Sequence, residues 1–159
     1  MKKFFSGCEL VELAIQIEKN GKDFFGKLSE MSKHPVAKEA FAILSKEDSN
    51  HMETFQKMFD PGCEYNPKEA YPDEYFSYMN SLASSYVFLQ ETDISELAKK
   101  VKNDADAVDL ATSYVKDAVL FYEGVREVIP EKDLPMIDTL IKEEKGHLEK
   151  LCEIKSDVC

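Results

Sequence analysis

The sequence has little that breaks a helix, with 6 glycines and 6 prolines in 159 residues. Together with long Ala/Leu/Glu/Lys-rich runs and few β-branched clusters, that scarcity argues against a strand-and-turn architecture and predicts an all-α chain. No apolar run approaches the roughly 20 residues needed to span a bilayer, so no membrane partner is expected. Met1–Cys8 offers two lysines and two phenylalanines but no apolar region of the kind export requires, and a cytoplasmic location is the expectation. Positive charge is also in deficit: 20 Lys and Arg face 31 Asp and Glu, for a net charge of −11. Such a surface repels nucleic-acid phosphates and anionic lipids, and cations are its natural partners. Cys8, Cys63, Cys152 and Cys159 form no C-x-x-C pair, so no cysteine-ligated zinc or iron site is predicted and reduced, incidental thiols are expected.

What is present is a repeat. Glu144 and His147 lie three apart in Ile141–Leu151, a spacing that places carboxylate and imidazole on one helix face, within reach of a common point. A second copy lies upstream: laying His51 on His147 puts Leu44 on Leu140, Lys46 on Lys142, Glu47 on Glu143 and Asp48 on Glu144. The segments before each copy also match, with Ala14, Lys19, Phe24 and Phe25 over Ala111, Lys116, Phe121 and Tyr122. Two helical hairpins of similar design follow.

The apolar stripes predict four long helices. The first starts at a capping box, Ser6 with Glu9, and runs to about Met31; the second runs from about Pro35 to Met58. Asp60–Pro72 reads as turn, and short helical patterns follow over 73–87 and 93–102. The third long helix is capped by Asn103 or Asp104 and carries its stripe to Ile129, before Pro130. The fourth begins at Asp133-Leu-Pro135 and frays from about Lys155. The expected organisation is one domain over 1–159: hairpin 1 over about 6–59, a crossover over 60–103 and hairpin 2 over about 104–154. His34 is expected at a helix start rather than as a ligand. Glu18, Asp48, His51, Glu144 and His147 all fall inward with the apolar residues, where buried charge needs a partner.

From Glu9 to about Ile154 the chain resembles the rubrerythrin-like branch of the ferritin-like superfamily. The resemblance is carried by Glu18-Lys-Asn-Gly-Lys-Asp-Phe-Phe25, Asp48-Ser-Asn-His51, Lys116-Asp-Ala-Val-Leu-Phe-Tyr122 and Glu143-Glu-Lys-Gly-His-Leu-Glu149. It implies a four-helix bundle in which two helices give a Glu each and two give Glu-x-x-His, around two metals. Carried across, Glu18 and His51 would ligate one iron, Asp48 and Glu144 would bridge, and His147 would ligate the second. Glu47 and Glu143 either accept hydrogen bonds from ligating histidines or belong to a solvated face, and Tyr122 either packs in the core or, as the resemblance implies, hydrogen-bonds a ligand or donates an electron. The implied cofactor is iron, two ions or one, with manganese or zinc as alternatives. The implied activity is reduction of peroxide or dioxygen, or oxidation of ferrous iron. With no rubredoxin module in the sequence, a separate rubredoxin-type protein would supply electrons, and homodimerisation is a further expectation.

Two departures stand out. The third helix has Val115 where the pattern has its second terminal Glu. Asp48 replaces a Glu, so that arm is about 1.5 Å shorter, and Glu47, four before His51, is able to substitute from the same face. The rival implication is a non-enzymatic metal-binding or interaction module that holds one metal or none.

Overall fold

The computed structural model describes residues 7–58, 72–90 and 93–158. Among these residues lie six α-helices and three short 3-10 turns, with no strand. The first hairpin is α1 (Gly7–Met31) and α2 (Pro35–Met58). Leu10, Ala14, Ile17, Phe24 and Leu28 recur at helical spacing on α1 and are all buried, so the amphipathic stripe of the sequence becomes the core face. The Ser32 hydroxyl donates to the Leu28 carbonyl at 2.7 Å, satisfying an end-of-helix acceptor, and Pro35 opens α2. His34 Nδ1 accepts from the Val36 N–H at 3.3 Å, which places this histidine at the helix start.

The crossover contains α3 (Pro72–Ser85), a 3-10 turn at Val87–Leu89, and α4 (Ile94–Lys99), whose N-cap Asp93 accepts from the Ser95 N–H. The expected capping box at Ser6 and the expected turn up to Tyr71 lie outside the described residues, while Pro72 opens α3 rather than closing the turn. Three buried or half-buried side chains seat the crossover on the bundle. Tyr75 donates to the Gly124 carbonyl at 2.5 Å, Asn20 to the Phe88 carbonyl at 2.5 Å, and Tyr86 to the Tyr114 carbonyl at 2.9 Å. A Cβ on Gly124 would overlap the Met79 sulfur, so the lack of a side chain lets α3 lie directly against the long helix that carries Gly124. Phe24, Phe25, Phe88 and Tyr114 pack with ring centroids 4.8 to 6.5 Å apart, mostly edge to face.

The second hairpin is α5 (Asp104–Val125) and α6 (Leu134–Val158). Asn103 caps α5 by accepting from the Asp106 N–H at 2.9 Å. Asp104 instead accepts from the backbone of Lys33 and His34, tying the α1–α2 turn to this hairpin. The long helix expected to reach Ile129 ends at Val125. Arg126–Val128 tighten into a 3-10 turn, and Ile129 is extended because a residue before proline avoids the α region. At the other end α6 does not fray at Lys155 but continues to Val158. Ile154 is buried, Val158 packs on the core, and Lys155 pairs with Asp109 of α5 at 2.8 Å. The α1–α2 and α5–α6 pairs pack lengthwise, and α1 beside α5 and α2 beside α6 close a four-helix bundle around a shared hydrophobic core.

Candidate metal centre

The buried charge of the described residues is concentrated in the middle of this bundle. Glu18 of α1, Asp48 and His51 of α2, and Glu144 and His147 of α6 are each at most 7% exposed amid an otherwise apolar core. Their register follows from the helical repeat: Asp48 and His51, like Glu144 and His147, are one turn apart on a face that also buries Leu44, Phe55, Leu140 and Leu151. Ligand atoms of Glu18, Asp48, His51 and Glu144 lie within 4.8 Å of one another, a group that could hold a metal ion. His51 Nδ1 is 3.0 Å from Glu144 Oε1 and 3.6 Å from Glu18 Oε1. His147 joins the cluster through Glu144, whose Oε2 is 3.4 Å from His147 Nδ1 without hydrogen-bond alignment. The two imidazole rings stack at 5.9 Å.

Both rings are held from outside. His51 Nε2 donates to Glu143 Oε2 at 2.6 Å, and His147 Nε2 donates to Glu47 Oε2, each carboxylate reaching across from the facing helix. These two glutamates are about half exposed, so they anchor the outer nitrogens from the rim and leave both Nδ1 atoms turned inward. Glu47 therefore does not stand in for Asp48: its carboxylate is spent on the outer edge of His147. On the inner side, Tyr122 of α5 donates to Glu18 Oε1 at 2.6 Å.

Asp48 occupies a cradle on α1. A Cβ on Gly21 would overlap Asp48 Oδ2 and come within 3.3 Å of its carboxyl carbon, so the shorter acid rests against the α1 backbone one turn after Glu18. From α5, Val115 faces the core at 2% exposure, while Lys116 is exposed and Asp117 half-buried. Helix α5 thus adds no carboxylate to the cluster.

The electrostatics describe a pocket with too much negative charge for its burial. Desolvation, then the neighbouring Glu144 charge, raise the Glu18 carboxyl from 4.5 to about 7. Desolvation and the charges of Glu18 and Glu144 likewise push Asp48 well above the usual carboxylate range. Burial alone would raise Glu144 too, but the adjacent His147 and His51 rings carry it down to about 2. Burial disfavours the charged His51 ring, yet Glu144 and Glu18 outweigh it and lift the ring to about 11; Glu144 raises His147 in the same way. Without a cation the cluster balances itself with protons. Two buried atoms still lack a hydrogen-bond partner, Glu18 Oε2 and His147 Nδ1.

Tyr86 belongs to the apolar pattern of 73–87 in the sequence, which marks it as core and not as a neighbour of the centre; it follows the end of α3 at Ser85 and precedes the 3-10 turn. Burial, then the charges of Glu144, Glu18 and Asp48, push its hydroxyl up, which places it within the field of the cluster. The role of Gly21 was likewise not legible, because a glycine on an apolar face gives no sign of which side chain approaches it.

The chain is similar to a Thermotoga maritima protein of known crystal structure, provisionally described as a ferritin-like diiron-carboxylate protein. The TM-score is 0.71 and the identity 24%, over 98% of each chain. The fold is ferritin-like. No protein-family model and no curated protein matches the chain. At this identity the likeness speaks for the ferritin-like bundle, and the chemistry of the centre rests on its own side chains. No helix among the described residues is long and apolar enough to cross a membrane.

The residues suit a divalent transition metal. Three carboxylates and two inward imidazole nitrogens form the oxygen-with-nitrogen donor set favoured by Fe(II), Mn(II) and Zn(II). A neutral His51, with its Nε2 proton held by Glu143, would set its Nδ1 lone pair against carboxylate oxygen 3.0 Å away. That arrangement is favourable only with a proton or a cation between them. The orphaned Glu18 Oε2 and His147 Nδ1 are further lone pairs with no other partner.

Proposed function

We propose that this ferritin-like bundle is a metal-binding protein of the rubrerythrin-like kind. It holds iron, or manganese or zinc, at Glu18, Asp48, His51, Glu144 and His147, with capacity for two ions. The observation that carries this reading is the paired orientation of the histidines. Each outer nitrogen is fixed by a rim carboxylate from the facing helix, which turns the inner nitrogen toward the buried carboxylates and leaves Glu18 Oε2 and His147 Nδ1 without a hydrogen-bond partner. Bound iron would supply one-electron redox chemistry toward peroxide or dioxygen. The chain's own residues do the rest. Glu18, Asp48 and Glu144 supply the negative charge that retains a cation, and Glu143 and Glu47 hold the imidazoles in register. Tyr122 holds its proton on Glu18 Oε1, fixing that carboxylate's orientation, and the aromatic and aliphatic walls exclude water. Re-reduction falls to a separate donor protein.

The test is metal analysis of anaerobically purified protein, before and after reconstitution with Fe(II), followed by peroxide consumption with an artificial reductant. Bound iron and sustained peroxide loss support the oxidoreductase. Iron without turnover favours a non-catalytic metal-binding module, the reading to which the buried Val115 lends weight. No metal after reconstitution would overturn both and leave a bundle with a proton-balanced polar core.

A further inference from the structure

We infer that the centre loads unevenly. One divalent ion binds tightly in the half built by Glu18, Asp48, His51 and Glu144, and the half facing His147 takes a second ion only weakly. This rests on the metal-binding reading above and deepens it.

The donors are not shared equally between the two histidines. Four residues bring ligand atoms within 4.8 Å of one another, and His147 is not among them. Its inner nitrogen meets one carboxylate oxygen, Glu144 Oε2 at 3.4 Å. The other carboxylate near it, Glu47, is engaged with the opposite ring nitrogen. Helix α5 contributes no residue to that group of four, and its Tyr122 phenol is committed to Glu18. Asp48 cannot make up the shortfall. Its carboxyl sits in the Gly21 cradle on α1, and an aspartate has one methylene fewer than glutamate with which to reach across.

The inventory is then three carboxylates and an imidazole for the first ion, against an imidazole and one shared carboxylate oxygen for the second. Charge sharpens the contrast. The first ion enters a pocket with surplus negative charge. The second would enter a low-dielectric site whose carboxylate charge the first ion has already largely offset and whose near neighbour is another cation. Loss of an outer-shell partner alone typically costs ten- to a hundredfold in metal affinity, so a half short of direct ligands should bind at least about tenfold more weakly. Singly loaded protein, with His147 free of metal, is therefore the main species at limiting metal.

The experiment is anaerobic titration of the metal-stripped full chain with Co(II), read by ligand-field absorption and by free ion at equilibrium. Wild type is compared with Glu18→Gln and His147→Gln, both near-isosteric, and circular dichroism verifies each fold. Wild type should bind one ion tightly and a second at least about tenfold more weakly. Glu18→Gln should lose the tight step, while His147→Gln keeps it and loses only the weak one. Two ions of equal affinity, loss of the tight step in His147→Gln, or its survival in Glu18→Gln would each overturn the inference while leaving metal binding intact. Absence of any bound ion in all three proteins would overturn the metal-binding reading itself.

Discussion

Replacing Glu18 with glutamine should make the metal-free protein more stable above neutral pH, although the substitution removes a residue from the centre. Burial and the adjacent Glu144 raise the Glu18 carboxyl from 4.5 to about 7. That displacement corresponds to about 3 kcal/mol against the charged form in the folded state. Because the folded value lies above the unfolded one, the folded protein binds more protons between those limits. The stabilisation from protonating Glu18 is fully present below pH 4.5, declines as pH rises, and is gone above about pH 7. Glutamine carries no charge at any pH. Its carbonyl can still accept from Tyr122, and its amide places a donor where Glu18 Oε2 has no partner. The advantage of Glu18→Gln should therefore be close to zero below pH 4.5 and approach about 3 kcal/mol above pH 7, or about 6 to 12 °C for a chain of this size. Urea denaturation followed by circular dichroism in chelator, from pH 4.5 to 8.5, measures it. With saturating metal the order should reverse, since wild type then gains binding energy that the variant has lost. A variant less stable than wild type in chelator at pH 8, or one whose advantage ignores pH, would refute the view that uncompensated carboxylate charge strains this core.

Val115→Glu should cost the metal-free fold about 3 to 5 kcal/mol by adding an unpaired buried charge, and most of that loss should return on metal addition; equal melting shifts with and without metal would count against Val115 marking a missing ligand. Gly21→Ala should weaken the first bound ion at least about tenfold by displacing Asp48, despite a gain of up to about 1 kcal/mol in helix propensity. Competition with a chelating dye checks it, and unchanged affinity would remove the cradle from the account. Tyr122→Phe should cost about 1 to 3 kcal/mol in denaturant by leaving Glu18 Oε1 buried without its donor, and a neutral result would mean that carboxyl finds another partner. Metal loading at pH 7 should acidify a weakly buffered solution. Against its burial, the Glu144 and Glu18 contacts raise His51 to about 11, so the ring holds a proton there that a bound cation displaces. A titration without acid release would contradict that charge state.

The rim contacts bear on which of these effects dominates. Glu47 and Glu143 reach the histidines from the facing helix, so the α2–α6 interface and the orientation of the two imidazoles are one structural unit. Loosening that interface should disturb both Nδ1 atoms together, whereas the Gly21–Asp48 contact belongs to the first hairpin alone.

By itself the sequence determined the helices and the inward set. The 3.6-residue period carries Asp48 and His51 on the same stripe as Leu44 and Phe55, and Glu144 and His147 on that of Leu140 and Leu151. Caps and prolines placed most helix starts by local chemistry, as at Pro35, Asp93 and Asn103. Helix ends were less legible: Ile129 turns extended because of the proline after it, and α6 persists past Lys155 because Asp109 and the core on other elements hold it. Only the tertiary structure decided how the polar groups divide. Which carboxylate meets which nitrogen, Glu47 on the outer edge of His147 and Glu144 between both rings, depends on the spacing and rotation of helices distant in sequence. The seating of Asp48 in the space left by Gly21, and the nearness of Tyr86 to the cluster, are through-space effects that a helical pattern does not show. Periodicity specifies a face, and the distances within that face are set by how the four helices pack.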